Sequence, residues 1–102
     1  MIHVIAVITA RPGQRKALLD LFHGNIPAVR AEAGCIEYGV AVDADTGLPF
    51  QKKWGEDAVL VIEKWDSADA LKAHGAAPHM REFGARTKEL VAGRAIHILQ
   101  PA

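Results

Sequence analysis

The stretch Val59–Phe83, VLVIEKWDSADALKAHGAAPHMREF, decides the fold. It opens as an apolar strand from about Ala58 to Trp65. Side chains alternate along a strand, so Val59, Val61, Glu63 and Trp65 share one face. That places the Glu63 carboxylate in an apolar row, where burial without a partner is costly; the group must be paired, close to water or used. Ser67 then caps a short helix, and Asp69 in its first turn suits the helix dipole. Gly75 and Ala76-Ala77-Pro78 interrupt that helix, and Pro78 suits the first position of a second helical segment. This segment is predicted to run to about Ala92, with Phe83, Thr87 and Leu90 inward and Gly93 closing it.

The flanks repeat this strand-then-helix order. Ile2–Ala10 is β-branched-rich and apolar on both faces, as a buried strand is. Arg11-Pro12-Gly13 breaks it, and a helix is predicted over residues 13–32, with Leu18, Phe22 and Val29 as its apolar stripe and Leu21 and Ile26 on the flanks. Pro27 should kink it and Gly34 end it. From Cys35 to Ala44, Ile36, Tyr38, Val40 and Val42 alternate with Glu37, Gly39 and Asp43, giving a strand with one wetter face. Asp45–Asp57, broken by Gly47, Pro49 and Gly55, reads as a loop, from which Phe50 and Trp54 should fold back onto something. Ala95–Gln100 supplies the last strand. The order β-α-β-β-α-β is that of ferredoxin-like α+β folds: a four-stranded antiparallel sheet, both helices on one face, first and third strands central. The face without helices would leave Ile2, Val4, Ala6 and Ile8, or their alternates, in water with half of the third strand. That patch is larger than a monomer usually carries, so a homodimer closed sheet against sheet is expected.

The 102 residues form one domain, and half are hydrophobic, enough for a core. Twelve basic residues balance twelve acidic ones, and the only basic doublets are Arg15-Lys16 and Lys52-Lys53. No clustered basic footprint supports nucleic-acid binding. Cys35 is the single cysteine, so no disulfide can form within the chain; it reads as a small core residue in a reducing compartment. MIHVIAVITARPG has no basic leader and too short an apolar run for a signal peptide or a membrane span, so a cytoplasmic protein is expected.

Several polar residues interrupt the apolar faces. Leu18, Phe22, Asn25 and Val29 follow 4-3-4 spacing, so Asn25 points toward the sheet, either as a satisfied core amide or as part of a site. His74 faces inward, three residues after Leu71, and His79 precedes Phe83 by four or caps the new turn. With Tyr38 and Glu63 these residues converge on the layer between sheet and helices, and the small residues around the histidines suit a cavity. The two histidines straddle a proline and lack zinc-ligand spacing; His3 and His97, on strands expected to pair, lack further ligands, so no metal is expected. No G-x-G-x-x-G or P-loop frame is present, which leaves nucleotide cofactors unsupported.

Three segments together carry a resemblance. Gly34-Cys35-Ile36-Glu37-Tyr38, Ile62-Glu63-Lys64-Trp65-Asp66-Ser67 and Ala73-His74-Gly75-Ala76-Ala77-Pro78-His79-Met80 resemble the G-C-x-x-Y, I-E-x-W-x-S and A-H-x-x-x-P-H-M/F blocks of the antibiotic biosynthesis monooxygenase family, closest to its bacterial quinol monooxygenases. Arg11-Pro12-Gly13-Gln14 and Ile98-Leu99-Gln100-Pro101 agree with that branch. The resemblance implies a dimeric α+β barrel with a cavity in each protomer, and oxygenation of a small aromatic substrate by molecular oxygen without flavin, haem or metal. It implies His74 as base or proton shuttle, with Glu63 and His79 beside it. Asn25 and Tyr38 would hold quinol oxygens, and Trp65, Phe83, Phe50, Trp54 and Phe22 would form flat apolar walls. Gly75 departs from the bulkier apolar residue usual there, which leaves substrate size open. Two other readings stand beside this one. A small-molecule isomerase shuttling protons between His74 and Glu63 would need a phosphate site that no basic cluster near the motif advertises. A ligand-binding dimer without turnover is the other.

Overall fold

A computed structural model describes residues 1–102. The elements are β1 (Ile2–Ala10), α1 (Arg15–Arg30), β2 (Cys35–Ala41), β3 (Ala58–Trp65), α2 (Ala68–Ala76), α3 (Pro78–Thr87) and β4 (Val91–Leu99). The four strands form one antiparallel sheet in the order β2-β3-β1-β4, so the two strands that read as apolar on both faces are the central pair.

Register decides which residues lie beneath the helices. Val4 pairs with Glu63 and Ala6 with Val61 across β1 and β3, while Tyr38 lies opposite Glu63 on the other side. These residues share one face and meet Leu18, Phe22, Ile26 and Val29 of α1 in the buried core, with Trp65 wholly enclosed. The apolar spacing of α1 thus matches the face it buries. Pro27 lies inside α1, near its C-terminal end, as read from the sequence. The opposite sheet face carries Ile5 paired with Ile62 and Val7 paired with Leu60, and no helix covers it.

The second helical region is broken as expected. Ser67 Oγ accepts from the Ala70 N–H at 3.1 Å, α2 stops at Ala76, and Pro78 opens α3. Four local expectations need correction. The second segment ends at Thr87, not near Ala92: the Leu90 carbonyl accepts from Arg11 N–H, and β4 begins at Val91 opposite Ala10, so pairing with β1 overrides the helix-stop signal of Gly93. The second strand stops at Ala41. A register shift between Cys35 and Glu37 makes Ile36 an extra residue, 53% exposed, on this edge strand; edge strands are where bulges collect. Phe50 and Trp54 do not fold back and stay 81% and 59% exposed. Their loop closes on itself instead: the Asp43 carboxylate accepts from the N–H groups of Trp54 and Gly55 at 3.1 and 2.8 Å. The Gly55 bond is the main reason that carboxyl is held below its ordinary range.

Candidate functional site

Five elements (α1, β2, β3, α2 and α3) and one turn bring the polar residues together. His74 lies in the last turn of α2, which the Ser67 cap starts on the sheet's helix side. It is 6% exposed, its ring centroid 4.7 Å from that of Trp65 and 5.7 Å from that of Tyr38. Nδ1 sits 2.7 Å from Oε2 of Glu32. A carboxylate accepts hydrogen bonds, so in the neutral ring this contact puts the proton on Nδ1 and leaves the lone pair on Nε2.

Glu32 is the residue that sequence reasoning missed. It lies in the turn between α1 and β2, and the same Oε2 also meets His79 Nε2 at 3.1 Å. His79 in turn places Nδ1 3.3 Å from Asn25 Oδ1, and Asn25 Nδ2 donates to the Met80 thioether at 3.3 Å. One carboxylate thus joins both histidines, and both Glu32 and His74 are largely shielded from water. The signal was present: Leu18, Phe22, Asn25 and Val29 extend by three more residues to Glu32 on the same helical face.

Glu63 lies on the other side of His74. Its Oε1 accepts from the Trp65 indole N–H at 2.9 Å, and the residue is 7% exposed. Burial pushes its carboxyl above the ordinary range, opposed by the Trp65 bond and the nearby His74. Burial, reinforced by Glu63 and Glu32, holds the Tyr38 phenol well above its ordinary value, so it remains a hydrogen-bond donor.

A cavity of about 830 Å³ opens between sheet and helices, within the size range of small-molecule sites. Of the residues expected at the site, Phe22, Tyr38, Glu63, His74 and Phe83 line it. Its mouth lies beside β4, where Ile96 and Ile98 are 57% and 60% exposed. The other expected residues take different places. Trp65 is fully buried behind His74 and forms no wall. Phe50 and Trp54 are outside the lining because their loop points elsewhere. Asn25 and His79 do not face this cavity; they line a separate polar hollow of about 190 Å³ between α1 and α3. No three His, Cys, Asp or Glu side chains are grouped to hold a metal ion. No helix is long and apolar enough to cross a membrane.

The site is thus a buried imidazole, oriented by a carboxylate and lining a largely apolar cavity on a ferredoxin-like sheet. Residues 1–86 match the model of the antibiotic biosynthesis monooxygenase family. The chain belongs to that family and to its monooxygenase class. It is 42% identical to the probable quinol monooxygenase YgiN of Escherichia coli K12, over 99% of this chain and 98% of that protein. Among solved structures, Rv0793 of Mycobacterium tuberculosis is similar at a TM-score of 0.80 and 30% identity, covering 99% of this chain and 94% of the other. PA3566 of Pseudomonas aeruginosa is similar at a TM-score of 0.81 and 28% identity, covering 99% and 93%.

Proposed function

We propose that the chain is a cofactor-independent monooxygenase of quinols or related polyphenols. The observation that carries this reading is His74, whose Nδ1 is committed to Glu32 while its ring lines an apolar cavity large enough for a fused aromatic ring system. A quinol hydroxyl gives its proton to Nε2 of His74. The resulting electron-rich anion passes an electron to dioxygen, and the radical pair combines at a ring carbon. The O–O bond then breaks; one oxygen stays on the ring and the other leaves as water. The ring ends as a hydroxylated quinone, so all four electrons taken up by dioxygen come from substrate. Tyr38, kept as a phenol, donates to a substrate oxygen, while Phe22 and Phe83, packed edge to face with centroids 4.9 Å apart, supply apolar wall.

The test offers reduced naphthoquinols in air to metal-stripped protein and follows oxygen uptake. Uptake above autoxidation that falls in His74→Ala supports the reading; no enhancement across a panel of quinols would sink it. A second reading, isomerisation by a proton shuttle between His74 and Glu63, gains from one observation: Lys88 and Arg94 line the same cavity and can meet an anionic group. Turnover of an anionic substrate without oxygen consumption would favour it.

We also infer a homodimer formed through the sheet face that carries Ile5, Val7, Leu60 and Ile62. Size-exclusion chromatography at low micromolar concentration tests this, and elution at the monomer mass of 11.0 kDa would refute it.

A further inference from the structure

Of the linked groups Asn25, Glu32, His74 and His79, only His74 lines the large cavity, whereas His79 and Asn25 line the polar hollow on the other side of Phe83, a wall shared by both spaces. Glu32 lines neither; it stands between the two histidines with one oxygen 2.7 Å from His74 and 3.1 Å from His79. We propose that His74, Glu32 and His79 form a proton exit path from the reaction cavity to the hollow between α1 and α3. The proposal rests on the oxygenase reading for the origin of the proton.

One proton enters the chain of groups and one leaves it. His74 takes the substrate proton at Nε2 and gives its Nδ1 proton to Oε2 of Glu32. The Glu32 carboxyl passes a proton to Nε2 of His79, and the Nδ1 proton of His79, which at rest points to Asn25 Oδ1, is given up to water or a buffer base in the hollow. Glu32 gains and loses its proton at the same Oε2, and each imidazole gains a proton at Nε2 and loses one from Nδ1, so each ring has to reorient before the next turnover. The net result is one proton moved outward, with no oxidant or reductant involved. A route of this kind serves chemistry in an apolar cavity: without it, the proton held on His74 must leave through the space that substrate and product occupy. The outer hollow is polar, with Asp20 of α1 and Glu82 and Arg86 of α3 on its walls. On the inner side, Glu63 and Tyr38 face His74 from the sheet.

Glu32 and His79 act through His74, so their variants must be read by more than lost activity. In Glu32→Gln and His79→Gln, kcat should fall roughly tenfold to a hundredfold, with KM held within about twofold. The solvent deuterium isotope effect on kcat should rise. Added imidazole should restore turnover in His79→Gln, because the hollow admits a small base, and should leave wild type unchanged. Wild-type kcat in both variants, or reduced kcat with neither buffer rescue nor a changed isotope effect, overturns the path. A second readout needs no substrate and separates failure of the path from failure of the oxygenase reading. In histidine-selective proton–nitrogen NMR of the whole protein, His74 and His79 should each show a protected ring N–H, and both signals should move together in Glu32→Gln. Independent behaviour of the two rings refutes the path even if quinols are turned over. Joint behaviour supports it even if they are not.

Discussion

Replacing Gly34 by alanine should destabilise the protein through two separable effects. Gly34 has φ +82°, the left-handed region, where a side chain costs about 1–2 kcal/mol. A Cβ built there would lie 2.6 Å from Asp66 Oδ1 and 2.7 Å from Ala70 Cβ. The Asp66 carboxyl can rotate away, but the Ala70 methyl belongs to the first turn of α2 and needs a shift of about 1 Å to reach ordinary contact, an overpacking cost of roughly 1–3 kcal/mol. Lower entropy of the unfolded chain returns about 0.4–1 kcal/mol. The net loss is about 2–4 kcal/mol, or on the order of 10–25 °C in Tm for a domain of this size. Gly24 is the control. It lies within α1 with nothing within 4 Å of its missing Cβ, so Gly24→Ala should stabilise by about 1 kcal/mol. Scanning calorimetry on both variants decides the matter. Gly34→Ala melting level with wild type, or Gly24→Ala falling as far as Gly34→Ala, would refute the assignment of the loss to this contact. The substitution reaches the site as well, because the displaced turn holds Glu32 and the displaced helix holds His74.

Three further outcomes are expected. Burial raises the Glu63 carboxyl above 4.5, so the unfolded chain ionises first and wild type loses stability as pH climbs from 4.5 through the raised value. Glu63→Gln keeps an acceptor for the Trp65 N–H without the charge; its Tm should exceed wild type at about pH 8 and converge with it near pH 4, and a gap independent of pH contradicts the assignment. Burial, with Glu32 and Glu63 nearby, holds the Cys35 thiol above its ordinary range, so alkylation at mildly alkaline pH should be slower than for a free cysteine peptide; equal rates would show that the thiolate is not suppressed. Ser67→Ala removes the acceptor for the Ala70 N–H and should cost about 1 kcal/mol in a urea melt, whereas an unchanged midpoint would mean the α2 cap is dispensable.

The sheet order and the helix break were legible because each follows from a local rule. Apolar runs on both faces marked β1 and β3 as central, and the Ser67 cap with Pro78 marked where α2 and α3 begin. The misplaced boundaries arose where a partner strand outweighed a local signal. Gly93 reads as a helix stop, yet β1 pairs from Ala10 outward and draws Val91 into the sheet. Ile36 alternates correctly in the sequence, yet the shifted pairing of β2 with β3 makes it the unpaired extra residue. Alternation has no access to a neighbour's register.

The site shows the same limit at closer range. Periodicity correctly turned Asn25 and His74 away from the helices' outer surfaces, but it reports only a direction on one element. Whether the side chain then meets a cavity or another polar group depends on segments far along the chain. Glu32 is 42 residues from His74 and 47 from His79, and no repeat links those intervals. Asn25 therefore carries the inward position expected of a substrate contact while His79, 54 residues on, takes up its oxygen. The same contact gives Glu32 its significance. A turn residue beyond the apolar stripe becomes the acceptor that orients one imidazole and joins it to the other. A helical stripe followed past its last apolar member to the first carboxylate, Val29 to Glu32, would have placed that carboxylate on the correct face, and only the fold could bring the two imidazoles to it.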